Sequence, residues 1–444
     1  MIRLTPTLAT AALLSSLSFA TNAADPGKLG TELTPMGGIM AGNGGAIPAW
    51  DGGIAKKDRP EGTRYKDPFA ADKPQFVISK DNMGDYANML SAGQKALLEQ
   101  GSYTIPVYKT RRSAAAPDYI YAATKKNAAQ ASLKNDGESL EGAVTGIPFP
   151  IPSSGKEVIW NHKLRFRGRS IVRYNNQAAV QQNGSFALFK LKEDVKFGWS
   201  YPDISLDDLA NVSTYFLQKT LAPARQAGGI LLVHETIDQI KEPRRAWLYN
   251  PGQRRTRRAP NVAYDNPGTG ADGLRTNDQL DAFNGATDRY TFKLVGQKEM
   301  VIPYNSYGLN SGDLKYEDIV KPGHIDQNLA RYEIHRVWVV EAELKDGTSH
   351  IYKKRVFYVD EDSWSIALVD IYDKRDSLWR FQEAHWAMAY DLLAVMPVLG
   401  TVYDLQGGRY LTMDMSNEDP PIAIADFEDE YFNPNNLARL SRAR

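Results

Sequence analysis

The chain has 444 residues, with 53 Lys plus Arg balanced by 53 Asp plus Glu and no cysteine. Balanced charge gives no hint of a nucleic-acid partner. Absent cysteine excludes disulfides, thiolate metal sites, cysteine nucleophiles and the lipidated cysteine that tethers exported bacterial proteins to a membrane. The length allows a core that needs no covalent staples, as two or three domains or as one large β-rich domain with additions.

Residues 1–24 read as an export signal. Arg3 supplies the positive start, Leu8 to Ala20 is apolar or small, and Thr21-Asn22-Ala23-Ala24 offers a cleavage site. Pro6 and the serines at 15, 16 and 18 keep this run short of the roughly 20 apolar residues of a membrane span. The apolar run Leu392 to Leu399 is also too short, being interrupted by Pro397. A soluble periplasmic protein without a lipid anchor is expected.

Residues 25–150 are expected to form an extended Gly- and Pro-rich arm followed by helices, the arm pinned to the body by Met36, Ile39, Met40, Ile47 and Trp50. Helical spacing marks Asp85 to Gln100 and Pro117 to Leu133, and Asp207 and Asp208 suit the first turn of a helix over Leu206 to Thr220. From residue 151 to 415 the period becomes two. Leu164 to Tyr174 alternates with Lys163, Arg165, Arg167, Arg169 and Arg173, and further strands read at Ser185–Leu191, Gly229–Thr236, Arg244–Tyr249 and Tyr290–Val295. Tyr332–Leu344, Ile351–Val359 and Ser363–Tyr372, joined by turns at 345–347 and 360–362, form an antiparallel meander, and further strands read at Leu378–Met388 and Arg409–Met415. No βαβ alternation occurs, so the fold class is a β-rich α+β fold. Residues 416–444 are expected to be an acidic tail docked by Phe427, Tyr431 and Phe432.

Catalytic and cofactor motifs fail their context tests. Gly268-Thr269-Gly270-Ala271-Asp272-Gly273 matches the dinucleotide fingerprint in letters, but neither strand nor helix frames it, and a long lid-like loop is the better account. None of the six histidines has zinc-ligand spacing, and no cofactor is expected. Glu383 and His385 share a strand face and are the one acid-base pair worth naming; a hydrogen-bonded structural pair fits them better. The arginine row at 165, 167, 169 and 173 needs opposing carboxylates, Glu341 and Glu343 among the choices, or an anionic partner.

The densest signal runs from Ala246 to Pro260. Trp247 and Tyr249 share one strand face, and Arg254, Arg255, Arg257 and Arg258 follow the turn Asn250-Pro251-Gly252. An apolar wall beside a cationic rim suits an amphiphile; ordinary core beside a solvated turn gives the same letters. This segment, with Asp272-Gly273-Leu274-Arg275, Phe283-Asn284-Gly285, the strand from His335 to Ala342 and the run from Arg355 to Trp364, resembles a family of exported Gram-negative proteins of unknown function. Its members are described as outer-membrane lipoprotein-sorting-like and are often encoded beside RND-type (MMPL-like) inner-membrane exporters and an outer-membrane β-barrel. The resemblance implies a strongly curved antiparallel sheet, an incomplete barrel like that of the periplasmic lipoprotein carriers, with helices over its concave face. It carries no catalytic residues.

A periplasmic carrier or adaptor for a hydrophobic or lipid-like ligand is therefore expected, working with an RND-type exporter and the outer membrane. Trp247, Tyr249, Trp338, Tyr358, Trp364 and Tyr372 are the aromatics expected in the groove or core, and Arg254, Arg255, Arg257 and Arg258 the clamp for an acidic head group or partner. The alternatives are an enzyme acting on a hydrophobic substrate and a ligand-free structural adaptor.

Overall fold

A computed structural model describes residues 25–259 and 264–442; the expected export signal lies outside them. In chain order, β1 (Phe76–Ile78), α1 (Ala92–Glu99), β2 (Ile105–Val107), α2 (Asp118–Gln130), the hairpin β3 (Ser132–Lys134) and β4 (Ser139–Glu141), and α3 (Gly155–Leu164) precede the body of the sheet. There follow β5 (Ser170–Tyr174), β6 (Asn176–Val180), β7 (Phe186–Lys196), β8 (Val212–Ala222), β9 (Ile230–Thr236), β10 (Arg245–Asn250), β11 (Arg255–Arg258) and β12 (Tyr290–Pro303). After α4 (Tyr316–Ile319) come β13 (Tyr332–Leu344), β14 (Lys354–Asp360), β15 (Ile366–Tyr372), β16 (Leu378–Ala389), β17 (Ala394–Asp404), β18 (Arg409–Met415) and β19 (Ala423–Ile424), and α5 (Leu437–Arg442) ends the described chain.

All but β3 and β4 belong to one curved, unclosed sheet. From β12 the order runs antiparallel through β13, β14, β15, β16, β17 and β18 to β6. There β5 and β6 lie end to end along the long β7, and the sheet continues through β8, β9 and β10 to β11. A single parallel bridge, Tyr332 to Val107, adds β2. Among the described residues β11 and β12 each pair on one side only, so the barrel stays open. Bulges in the pairings of β12, β14, β15 and β16 add local twist and curl the sheet.

Each face of the sheet is covered. Ser91 caps α1 by a reciprocal capping box with Gln94, and Asp370 of β15 accepts from Ser91 Oγ and the amides of Ala92 and Gly93 at 2.8–3.0 Å. A buried carboxylate at a helix N-terminus fixes that helix to the sheet. Gly93 is demanded by the approach: a Cβ there would lie 2.0 Å from the Phe381 ring. On the opposite face, the N-terminal end of α3 packs on β12 and β13, where a Cβ on Gly155 would meet Phe292 O at 2.8 Å. The residues just beyond its C-terminal end reach β7, with the Arg167 guanidinium 4.5 Å from the Phe197 ring centroid. A helix and the few residues after it can reach parts of the chain so far apart in sheet order only if the sheet wraps around them, which makes this the concave face.

The extended arm is tied down by charge. Arg112 grips Asp362 through two hydrogen bonds of 2.8 and 2.7 Å and donates to Ile39 O, the Ile39 amide donates to Glu361, and Arg336 donates to Ala41 O. The tail packs through buried Phe432, Leu437 and Leu440.

Two expected elements are corrected. The helix expected over Leu206 to Thr220 is strand β8 from Val212 onward. The strand expected from Leu164 begins only at Ser170, because residues 155–164 form α3.

Candidate functional site

Between α3, the 264–288 segment and the concave face of the sheet lies a cavity of about 1360 Å³, its open mouth included. Strand alternation decides what it sees. On β9, Leu231 and Val233 point into it, whereas Leu232 points to the outer face under the C-terminal tail. Phe197 and Phe216 belong to the same wall, and Met396 from β17 and Ile422 from the segment before β19 help to close the apolar floor.

The 264–288 segment is a clamped cover rather than the lid-like loop expected. Arg380 donates to the carbonyls of Leu274 and Gly273 at 2.9 and 2.8 Å, Arg355 to Asp278 at 2.6 Å, and the Tyr352 hydroxyl to Gln279 at 2.7 Å. Its own Ala271, Leu274 and Phe283 are buried. No helix leaves the Gly268–Gly273 glycines, so the dinucleotide reading fails in three dimensions as it does in sequence.

Lys163, Arg167, Arg173, Arg244 and Arg275 line the cavity, against only two carboxylates, Glu235 and Asp281. Arg244 pairs with Glu235 at 2.7 Å, and Arg173 with Glu193 at 2.7 Å and Asp414 at 3.3 Å. Asp281 bridges Arg165 and Arg167 at 2.6 and 2.7 Å. Burial alone would raise the Asp281 carboxyl, but the two guanidiniums outweigh it and hold it well below the usual carboxylate range. Asp414, where burial dominates, is pushed up to about 6. The arginine row is thus neutralised largely by Asp281, Glu193 and Asp414, not by Glu341 and Glu343; Arg169 lies exposed near the Tyr201 ring.

Lys163 and Arg275 have no carboxylate within 4.0 Å among the described residues. Lys163 Nζ donates to Gly285 O at 3.1 Å and sits 4.9 Å from the Trp160 ring centroid. Burial, with repulsion from Arg244, lowers its ammonium to about 8. Arg275 is 4% exposed, donates to Thr276 O at 3.1 Å, and leaves Nε without a partner.

The six expected aromatics lie elsewhere. Trp247 and buried Tyr249 face away from the cavity, in a cluster sealed by Phe432, Leu437 and Leu440 of the tail. Trp338 stacks on Trp364 at 6.3 Å, and the Trp364 indole donates to Met36 O at 2.8 Å. The Tyr358 hydroxyl donates to Asp370 at 3.0 Å, and Tyr372 lies under the Lys354 ammonium. None of the six lines the large cavity; a sheet covered on both faces uses them for packing. Arg254, Arg255, Arg257 and Arg258 are exposed, on or beside edge strand β11, and no carboxylate lies within 4.0 Å of them among the described residues. Glu383 and His385 are fully buried, 3.9 Å apart, with Tyr103 and Tyr332 donating to Glu383 at 2.8 and 3.1 Å. They are not in the large cavity.

His335, Asp360 and Asp362 bring ligand atoms within 4.8 Å of one another. Both Asp362 oxygens accept from Arg112, and His335 Nε2 faces Glu333 at 3.0 Å. The guanidinium already occupies the place of a cation.

Fold and site define an open, curved-sheet protein with a covered apolar cavity ringed by cations. The chain belongs to the family described as Protein of unknown function (DUF1329), whose model matches residues 77–438. It is 49% identical over 420 residues to the uncharacterized protein PA3922 of Pseudomonas aeruginosa, covering 94% of this chain and 92% of that one. Among solved structures it is similar to a proposed outer membrane lipoprotein-sorting protein domain from Vibrio parahaemolyticus, with TM-score 0.44, 15% identity, and 64% of this chain and 97% of that one covered. A DUF1329 family protein from Desulfovibrio piger gives TM-score 0.42 and 16% identity over 61% and 92% of the two chains. The LolA superfamily protein NE2245 from Nitrosomonas europaea gives 0.38 and 14% over 64% and 98%. No helix among the described residues is long and apolar enough to cross a membrane.

Proposed function

We propose that this protein is a periplasmic carrier that shields a hydrophobic, lipid-like ligand in the cavity between α3 and the concave face of the sheet. One observation carries the reading: an open-mouthed cavity walled by Phe197, Phe216, Leu231 and Val233 remains in a fold that otherwise buries its apolar side chains against one another. Burial supplies the driving force, at about 0.8 kcal/mol for each CH₂ taken from water. Extraction of a chain from a membrane then needs no covalent step.

The exposed arginines 254, 255, 257 and 258 are the surface we assign to an acidic partner, a membrane or an exporter component. An edge strand bearing three cations, with a fourth in the turn before it, resists pairing with other edges and attracts anions over a Debye length. The family resemblance makes an RND-type exporter and an outer-membrane β-barrel the partners to try first.

Native mass spectrometry with lipid extraction, on the mature protein purified from the periplasm of its host, tests the carrier reading. A stoichiometric co-purifying apolar molecule is expected. A clean ligand-free mass, unchanged after incubation with total host lipids, would overturn it.

A further inference from the structure

We infer that the carried molecule is an amphiphile with an anionic head group, carboxylate or phosphate, and that the buried Arg275 guanidinium is the residue that receives it, with Lys163 as the second cation. The inference rests on the carrier reading and specifies its ligand.

Charge bookkeeping around the cavity gives the first support. Of the cations Lys163, Arg165, Arg167, Arg173, Arg244 and Arg275, four form ion pairs within 4.0 Å with the carboxylates Glu193, Glu235, Asp281 and Asp414. Every carboxylate is engaged by an arginine, and the two cations left over are Lys163 and Arg275. Both feel carboxylates only at a distance, Asp414, Glu193 and Asp278 for Arg275 and Glu235, Glu138 and Asp288 for Lys163; desolvated charge without a contacting partner is costly, and a ligand anion would complete the pair.

Arg275 is also a built feature. Its guanidinium packs against Gly268, where a Cβ would come within 2.7 Å of Cζ, and the backbone doubles back so that the Gly268 amide donates to Arg275 O at 2.9 Å. The turn holds the side chain while leaving most of its five donors unused: of them, only the bond to Thr276 O is made among the described residues. A planar fork held in this way suits the paired oxygens of a carboxylate or phosphate. Because the same cavity carries the apolar floor, the anion belongs to a molecule with a hydrocarbon body.

The test uses the full-length mature protein stripped of lipid, with fluorescent cis-parinaric acid and its methyl ester as a matched pair. The acid is expected to bind at least tenfold more tightly than the ester. Arg275→Gln should lose that preference while keeping ester affinity within twofold, and Arg275→Lys should keep part of it. Equal binding of acid and ester by the unsubstituted protein, or an unchanged preference in Arg275→Gln, would overturn the head-group assignment and leave the carrier reading standing. Failure of both probes to bind would overturn both. Inorganic phosphate titrated alone by calorimetry should not saturate at millimolar concentration; saturation there would reassign the subsite to a free anion.

Discussion

Replacing Asp281 by Asn isolates the charge that fastens α3 to the rim of the cavity. The substitution keeps side-chain size, and Asn tolerates the left-handed backbone at this position, φ 54°. What changes is the electrostatics. Arg165, 6% exposed, loses its 2.6 Å partner, and Arg167 loses its partner at 2.7 Å. The new amide keeps one oxygen acceptor for one guanidinium, turns its NH2 toward the other, and carries no charge for either. Removing one member of a buried ionic group costs about 3–5 kcal/mol, a large share of the 5–15 kcal/mol that stabilises an ordinary domain. The Asp281 carboxyl is depressed, so its contribution is present above about pH 4, its unfolded value, and is lost only as pH falls through the lower folded value. The penalty should therefore be undiminished at pH 5. Urea unfolding followed by tryptophan fluorescence measures it, Trp160 on α3 being a local reporter. Adding Arg165→Gln to Asp281→Asn should recover part of the loss, since the orphaned cation is then gone. A loss below about 1 kcal/mol, or strictly additive single and double variants, would refute the argument.

Other parts of the structure give separate tests. His162 is buried and neutral, its Nδ1 accepting from the Ile366 amide at 3.1 Å and its Nε2 placed to donate to Asp281 O at 2.8 Å. Burial, aided by Arg165 and opposed by Asp281, lowers it to about 3. Unfolding releases that restraint, so stability should fall below pH 6.5 by up to about 1.4 kcal/mol per unit, about 2 kcal/mol by pH 5; His162→Gln should remove this part of the slope, and identical pH profiles would contradict it. Affinity for saturated fatty acids should rise about fourfold per added CH₂ until the cavity is full and then level off; a flat series in calorimetry would exclude burial as the driving force. Affinity for cis-parinaric acid should weaken above pH 8, where Lys163 loses its proton among Arg244, Glu235, Glu138 and Asp288; a profile unchanged from pH 7 to 9 would remove Lys163 from the site. Changing Arg254, Arg255, Arg257 and Arg258 together to serine should leave thermal stability and parinarate affinity unaltered but abolish sedimentation with vesicles containing anionic lipid, and retained sedimentation would end their assignment as a docking surface.

The long meander was legible because its runs of β-branched and aromatic residues give one uniform signal and its turns carry Gly and Asp. Helix α2 was legible for a similar reason. Strand β8 was not, since both of its faces are covered: Phe216 looks into the cavity while Leu217 lies under the tail, and a strand buried on both sides loses its alternation. Asp207 and Asp208 then mimic the first turn of a helix. Helix α3 was hidden for the mirror-image reason. Wrapped by the sheet, it buries Val158, Ile159, Trp160 and Leu164 around most of its circumference, so it shows no clear polar face and runs into the alternating arginines after it.

The cavity could not be read because no single segment makes it. Its lining comes from α3 and the residues after it, from β5, β7, β8 and β9, from the 264–288 segment and from the β16–β17 turn, so that residues 160 to 422 meet in one place. Aromatic-rich strands gave the loudest sequence signal, yet a sheet covered on both faces spends its largest side chains on packing. Composition was equally silent about charge. A chain with 53 cations and 53 anions can still concentrate an excess of cations where water is scarce, and only folding reveals which of them are left without a carboxylate. The arginine row at 165–173 was the nearest sequence-level sign of this excess, but its members are largely neutralised by residues distant in sequence. The two cations left over, Lys163 and Arg275, sit one at the end of a helix and one in a loop, each ordinary by its letters.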